Sequence, residues 1–291
     1  MAQLIAETRR TIAPAPSSTR PWLAVATLCQ RECVRFVRQR NRVVGAIGQP
    51  IIFWLLFGAG LGPTFRLPGG AAQDLSYREY FFPGSLILIL LFTAIFATIS
   101  IIEDRREGFL QSVLVAPIPR WSMVLGKVIG GSLIALVEGL VFLALGLTLG
   151  LHFTPSMLAS IVLLLTVIAL ALTSLGFVVA WRMDSTQGFH AIMSVFLMPM
   201  WLLSGAFFPA PPLTADTSWT QWALSLVIGL NPLTYGVAAL RRLMYNNLPD
   251  APLPPDTPAL ATCWVVTILF AGVMFAAAWK ISGQRTTGDL L

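Results

Sequence analysis

Apolar runs of about twenty residues, almost free of charge, recur along this chain, and no other feature limits its possible folds so severely. A helix rises about 1.5 Å per residue, so about twenty residues cross a hydrocarbon core about 30 Å thick. Hydrocarbon offers backbone N–H and C=O groups no water, so only helices and closed barrels cross it. A barrel would show strands of about ten residues alternating in polarity. The runs here are continuous and longer. Composition points the same way: 56% of residues are hydrophobic and 11% charged, and mean hydropathy is +0.77. A soluble domain carries about 25% charged residues, and a chain of this length lacks the polar surface to enclose such a core in water. The sequence therefore reads as an all-α membrane protein with a single membrane domain.

Six transmembrane helices are expected, at about 43–64, 81–102, 127–149, 157–181, 189–208 and 258–279. Residues 1–21 read as a disordered cytoplasmic tail, because Arg9, Arg10 and Arg20 surround Pro14 and Pro16 and no apolar region follows directly, as a signal peptide would require. Residues 22–42 alternate Leu28, Val34 and Phe36 with Arg31, Arg35, Arg38, Arg40 and Arg42, the pattern of an interfacial amphipathic helix. Gly58 and Gly62 give the first span a spacing that lets helices approach closely. Residues 281–291 form a second tail.

Trp219 to Tyr245 is apolar enough to count as a seventh span. Charge does not decide the matter. Six crossings put the amino-terminal arginines, Arg105, Arg106, Arg120, Lys127, Arg182, Lys280 and Arg285 on one side. Seven exchange Lys280 and Arg285 for Arg241 and Arg242, an equal tally. The excess of basic residues places the amino terminus in the cytoplasm either way. Helix breaking decides instead: Asn231-Pro232 divides the segment into pieces too short to cross. The segment is expected to be an outer-face re-entrant hairpin before the last span, with both termini cytoplasmic.

The chain carries no phosphate loop; Gly126-Lys127 is followed by Val128 and lacks the upstream glycine. His152 and His190 stand at span ends far apart in sequence, and no metal, cofactor or catalytic cluster is expected. Cys29, Cys33 and Cys263 make an odd count without metal-ligand spacing and read as reduced and structural. Nucleic acid is not an expected partner, since the arginines flank apolar spans and form no basic domain. Energy for transport would have to come from a partner or an ion gradient.

Between Glu103 and Arg120 lies the most polar stretch separating two spans. Phe109, Leu110, Val113 and Leu114 fall at helical spacing, and Pro117 and Pro119 close the segment. Glu103, Asp104, Arg105, Arg106 and Glu107 crowd its start, where acids suit the helix dipole. A short amphipathic helix suited to docking a soluble partner is one reading; an ordinary connecting loop is the other. Glu138 stands alone inside the third span, at a cost of about 3 kcal/mol on insertion scales. It either faces a substrate path or dimer seam, or is a hydrogen-bonded carboxyl packed near Gln49. Glu138→Gln is expected to preserve assembly and alter transport; wild-type transport by that variant would remove Glu138 from the mechanism. Trp201, Trp219, Trp222 and Tyr235 read as an outer interface belt, with a substrate-binding aromatic box as the competing reading.

The block EDRREGFLQSVLVAPIPR, followed by Val124, Leu125, Gly126 and Lys127, resembles the cytoplasmic signature of type-2 ABC exporter permeases. These are membrane subunits of bacterial drug, polysaccharide and lipo-oligosaccharide exporters. A second block is similar to the outer re-entrant region of that family: Leu203-Ser204-Gly205 before Phe208-Pro209, then Asn231-Pro232-Leu233-Thr234-Tyr235-Gly236 and Leu240-Arg241. The resemblance spans nearly everything after Trp22. It implies that Glu103, Asp104, Arg105, Arg106, Glu107, Gly108 and Phe109 form a coupling helix that docks an ATPase. It also assigns Asn231, Pro232, Tyr235 and Arg241 to the re-entrant region. It further implies a permease homodimer, or a heterodimer, in the bacterial inner membrane. Two separate ATPase subunits would bind ATP and Mg, leaving no enzyme activity in this chain. An amphipathic, lipid-linked or glycan substrate fits a lateral path through membrane lipid. The rivals are an ion-gradient-driven transporter, a class that usually shows paired broken helices and several intramembrane charges, and a non-transporting scaffold.

Overall fold

The computed structural model describes residues 20–62, 76–207, 209, 217–245, 253–254 and 257–284, except the side chains at 40–42, 46–47 and 49. Of the tails expected at 1–21 and 281–291, residues 1–19 and 285–291 lie outside the described residues, as do Phe208 and the side chains of Arg40, Arg42 and Gln49; Pro21 already opens a helix, and Ile281 and Ser282 end one. Every regular element among the described residues is helical. In chain order these are α1 (Pro21–Arg38), α2 (Arg40–Leu61), α3 (Tyr77–Ala97), α4 (Ile99–Arg106) and α5 (Phe109–Val115). There follow α6 (Arg120–Leu143) with a 3-10 extension Ala144–Leu149, α7 (Pro155–Trp181) and α8 (Thr186–Trp201) with a π-helical turn Leu202–Ala206. The last are α9 (Trp219–Leu230), α10 (Pro232–Tyr245) and α11 (Leu260–Ser282).

Among the described residues, six helical stretches are long and apolar enough to cross a membrane: Val43–Leu61, Tyr77–Arg106, Arg120–Leu149, Pro155–Trp181, Thr186–Ala206 and Leu260–Ser282. Local chemistry moves two starts ahead of the apolar runs. Ser76 and Glu79 form a reciprocal capping box that opens α3 at Tyr77. Pro119, held in extended conformation, opens α6 at Arg120, so Lys127 lies inside the helix rather than at its mouth. Ser185 and Thr154 cap α8 and α7 through the backbone N–H groups of Gly188 and Met157.

The second crossing forms the centre. In Tyr77–Arg106 the apolar core is 89% buried, against 20% in Val43–Leu61 and 11% in Leu260–Ser282, which ride on the outside. Small residues fix the close approaches. A side chain at Gly131 would meet Thr173 and Ala97, one at Gly139 would meet Leu90, and one at Gly176 would meet Thr98 and the backbone of Ile95. Amphipathic α1 packs along α6, burying Val25, Leu28 and Phe36. Gly126 and Gly130, one turn apart, admit it: Cβ atoms there would lie 3.0 Å from Val25 O and 2.8 Å from Glu32 Cβ.

The polar block after the second crossing folds differently from the single helix expected to begin at Glu103. Glu103 to Arg106 finish α4, Gly108 adopts φ 76°, and α5 starts afresh at Phe109. Glycine takes that left-handed conformation without a Cβ penalty, which permits the sharp change of direction. The acids therefore sit at a helix C-terminus, where the dipole disfavours them, and cations from α1 and α6 compensate.

α9 and α10 meet at 76° across Asn231. Asn231 Nδ2 donates to Met200 O at 2.5 Å, and Asn231 Oδ1 accepts from the Leu233 N–H, capping α10. At the far end of α10, Tyr245 Oη donates to Glu79 O at 2.8 Å and Arg242 donates to Thr257 O and Pro258 O, each at 2.6 Å. α9 leaves Trp219, Trp222 and Leu230 exposed, whereas most of α10 is buried.

Candidate functional site

Asp104 is the most heavily bonded acid among the described residues, and its side chain is fully buried. Arg31 of α1 donates to both carboxylate oxygens, at 2.6 and 3.0 Å, and Arg35 donates at 2.8 Å. Lys127 of α6 donates to Asp104 at 2.5 Å and to Glu32 of α1 at 2.7 Å. Arg35 also reaches Glu103 at 2.7 Å and Glu107 at 3.5 Å. The heptad-like spacing of α1 builds this hub. Leu28, Glu32 and Phe36 face α6, while Arg31 and Arg35 stand on the flank next to α4. Desolvation lowers the Arg31 pKa, but the adjoining Asp104 carboxylate outweighs it and holds the guanidinium above its ordinary value. Arg31 also lies over the Phe109 ring, 3.7 Å from its centroid, which ties α5 to the same hub.

Arg105 points the other way. It donates to Trp181 O at 2.6 Å and Met183 O at 3.1 Å, and approaches Asp184 at 3.4 Å. It thereby satisfies carbonyls at the C-terminus of α7, where a cation is favoured. Arg106 donates to Asp184 O at 3.2 Å from an exposed position. Arg120 donates to Ser282 O at 3.0 Å, closing the end of α11 in the same manner. One end of the bundle thus collects nearly all its charged ties. Of the seven residues assigned to docking from the sequence, Asp104 faces inward, Glu103 and Arg105 are engaged within the chain, and Arg106 and Glu107 are exposed. Exposed Ser112, Val115 and Pro117 extend the open surface along α5. Glu32 was not marked by sequence reasoning; its signal is a lone acid in an arginine-rich helix.

Cys29 and Cys33 lie one turn apart on α1, free and half-buried. Burial, with Cys33 adjoining, pushes the Cys29 thiol up to about 11. The thiolate is the reactive form, so at pH 7.5 Cys29 holds about 100-fold less of it than a thiol at the ordinary value of 9.0. Peptide-mapped alkylation of Cys29 is expected to accelerate about tenfold per pH unit from 7 to 10. A plateau near pH 9 would contradict this.

The opposite end is aromatic. Tyr77 Oη donates to Phe207 O and Tyr80 Oη to Gly205 O, both at 2.9 Å. Trp201 Nε1 donates to Gly84 O at 2.8 Å. Trp201 is thus packed inside, whereas Trp219 and Trp222 are exposed and Tyr235 Oη donates to Gly229 O. Arg241 is buried; it donates to Gly205 O at 2.7 Å and lies 4.0 Å over the Tyr80 ring. Pro232 opens α10 beside the Asn231 cap. Together these residues brace the π-helical turn, whose Gly205 has φ 73°. Glu138 is buried between α6 and α3 and accepts a hydrogen bond from Thr93 Oγ1. Neither Tyr80 nor Thr93 carried a sequence signal.

Comparison with known proteins gives concordant matches. The family described as ABC-2 type transporter matches residues 24–245, which include the charged hub and the bent α9–α10 pair. The transport permease ycf38 of Cyanophora paradoxa is 26% identical over 224 residues, covering 76% of this chain and 73% of that protein. The inner membrane transport permease YadH of Escherichia coli strain K12 is 23% identical over 278 residues, 92% of this chain and 97% of its own. The multidrug ABC transporter permease YbhR of the same strain is 26% identical over 138 residues, covering 47% of this chain and 37% of that protein.

Proposed function

The chain belongs to the ABC-2 type transporter family, and from that membership we propose that it is the membrane permease of an ATP-driven exporter worked by a separate ATPase subunit. The observation that carries this reading is the charged end. α5 is held between Gly108 and the proline pair Pro117 and Pro119, and Arg31 rests on its Phe109. A short stiff helix beside the ends of several crossings suits a push from a soluble partner. Arg106, Glu107, Ser112 and Val115 would meet that partner, which would bind the ATP and Mg. The basic residues at this end favour the cytoplasmic side of a bacterial inner membrane.

The broad exposed apolar faces of α2 and α11, among them Ile52, Leu56, Val265 and Leu269, suit lipid or a second permease. A homodimer with two ATPase copies is the assembly proposed. The bent α9–α10 pair reads as the outer re-entrant hairpin: its far end returns to the level of Glu79 and Pro258. An amphipathic, lipid-linked or glycan substrate would travel a path between crossings.

Proteoliposomes holding the permease and its ATPase subunit test the reading. Substrate movement should require ATP and persist after ion gradients are collapsed. Movement with ATP depleted and gradients intact would instead support a secondary transporter. In cells, Ser112→Cys should resist an impermeant thiol reagent; external labelling would overturn the orientation.

A further inference from the structure

Consecutive residues at the end of the second crossing turn their charges in opposite directions. Asp104 gathers Arg31, Arg35 and Lys127, and so holds α1 and α6. Arg105 holds the carbonyls of Trp181 and Met183, and so holds the end of α7 and the link to α8. Both contacts are largely removed from water: the Asp104 and Lys127 side chains are 0% and 3% exposed, and that of Arg105 is 10%. A buried ion pair contributes little net stability over a well-packed apolar contact, but it fixes registry, because its hydrogen bonds are directional while apolar surfaces slide.

We infer that Asp104 and Arg105 are positioning residues that divide a displacement of α5 between two bodies, α1 with α6 on one side and the α7–α8 corner on the other. The inference rests on the exporter reading, and it reassigns these two residues from the face that meets the ATPase to the inner transmission behind it. Lys127 is the second half of the first tie, since it joins Glu32 of α1 to Asp104 across α6. Removing either tie should leave the ATPase docked and hydrolysing while its stroke no longer reaches one part of the bundle.

Amide hydrogen exchange on the permease alone in nanodiscs tests the division. Asp104→Asn should raise exchange across 21–38 by about tenfold and leave 178–184 unchanged, and Arg105→Met should do the reverse. Exchange that rises equally at both places in either variant overturns the inference. Lys127→Gln, which keeps a donor for both acids, repeats the first arm if Asp104→Asn does not fold. With the ATPase subunit added, both variants should retain it and hydrolyse ATP while substrate moved per ATP falls about tenfold. Lys127→Arg, which keeps the charge, should restore most of the coupling that Lys127→Gln loses. An unchanged ratio of transport to hydrolysis also overturns the inference. Failure of the wild-type protein to retain any ATPase subunit would count against the exporter reading itself, while the exchange comparison would still decide the ties.

Discussion

Asp104→Leu should destabilise the folded protein by about 3 kcal/mol, the low end of the 3–5 kcal/mol range for stripping one partner from a buried ionic cluster. The loss removes the acceptor of four hydrogen bonds from three cations. Lys127 keeps Glu32, and Arg31 and Arg35 are partly exposed, which holds the effect to the lower figure. Reversible unfolding in detergent, read as a midpoint shift, measures it. The combined variant Glu32→Leu, Asp104→Leu, Lys127→Met supplies the discriminating comparison. It removes the buried charges together, so no desolvated ion is left behind, and it should be more stable than Asp104→Leu alone. A triple variant no more stable than Asp104→Leu would show that the cluster stabilises the fold by net attraction rather than fixing its registry.

Gly84→Val should cost about 1–3 kcal/mol through overpacking, and more if the π-helical turn gives way. An ideal Cβ at Gly84 would stand 2.6 Å from Ala206 O and 2.9 Å from Ala206 Cα, so the obstacle is backbone rather than a side chain able to rotate aside. The same contact is stitched by the Trp201 indole donating to Gly84 O, and the displaced turn also carries the Gly205 carbonyl that accepts from Tyr80 and Arg241. Substitution should therefore loosen α8 and α10 together. Gly229→Ala is the control: nothing lies within 4 Å of its Cβ position, and alanine favours the helix by about 1 kcal/mol. Equal thermal midpoints for Gly84→Val and wild type would exclude the close approach.

The contrast between these sites and the crossings themselves shows where sequence reasoning ends. The long apolar runs announced six helices, because a run that cannot be solvated by water must find hydrocarbon or protein, whatever its neighbours are. Asn231-Pro232 announced the bend between α9 and α10 for an equally local reason: proline cannot supply the helical hydrogen bond. The two blocks around Glu103 and Asn231 announced the transporter family. The same local reasoning treated Glu103 through Phe109 as one surface, and nothing in the order of residues distinguished Asp104, which turns inward, from Arg106, which does not.

What the sequence determined by itself was the solvent of each segment and the positions where the helix must break, since both follow from the chemistry of a few adjacent residues. What only the tertiary structure decided was the pairing of charges. Lys127 meets Glu32 across 95 positions and Asp104 across 23, and the direction of each charge follows from which helices pack side by side. That choice is made by Gly126 and Gly130 admitting α1, and by Gly108 turning the chain after α4. A buried charge is tolerable only where its partners arrive from several elements at once, and such an arrangement is a property of packing, not of sequence order.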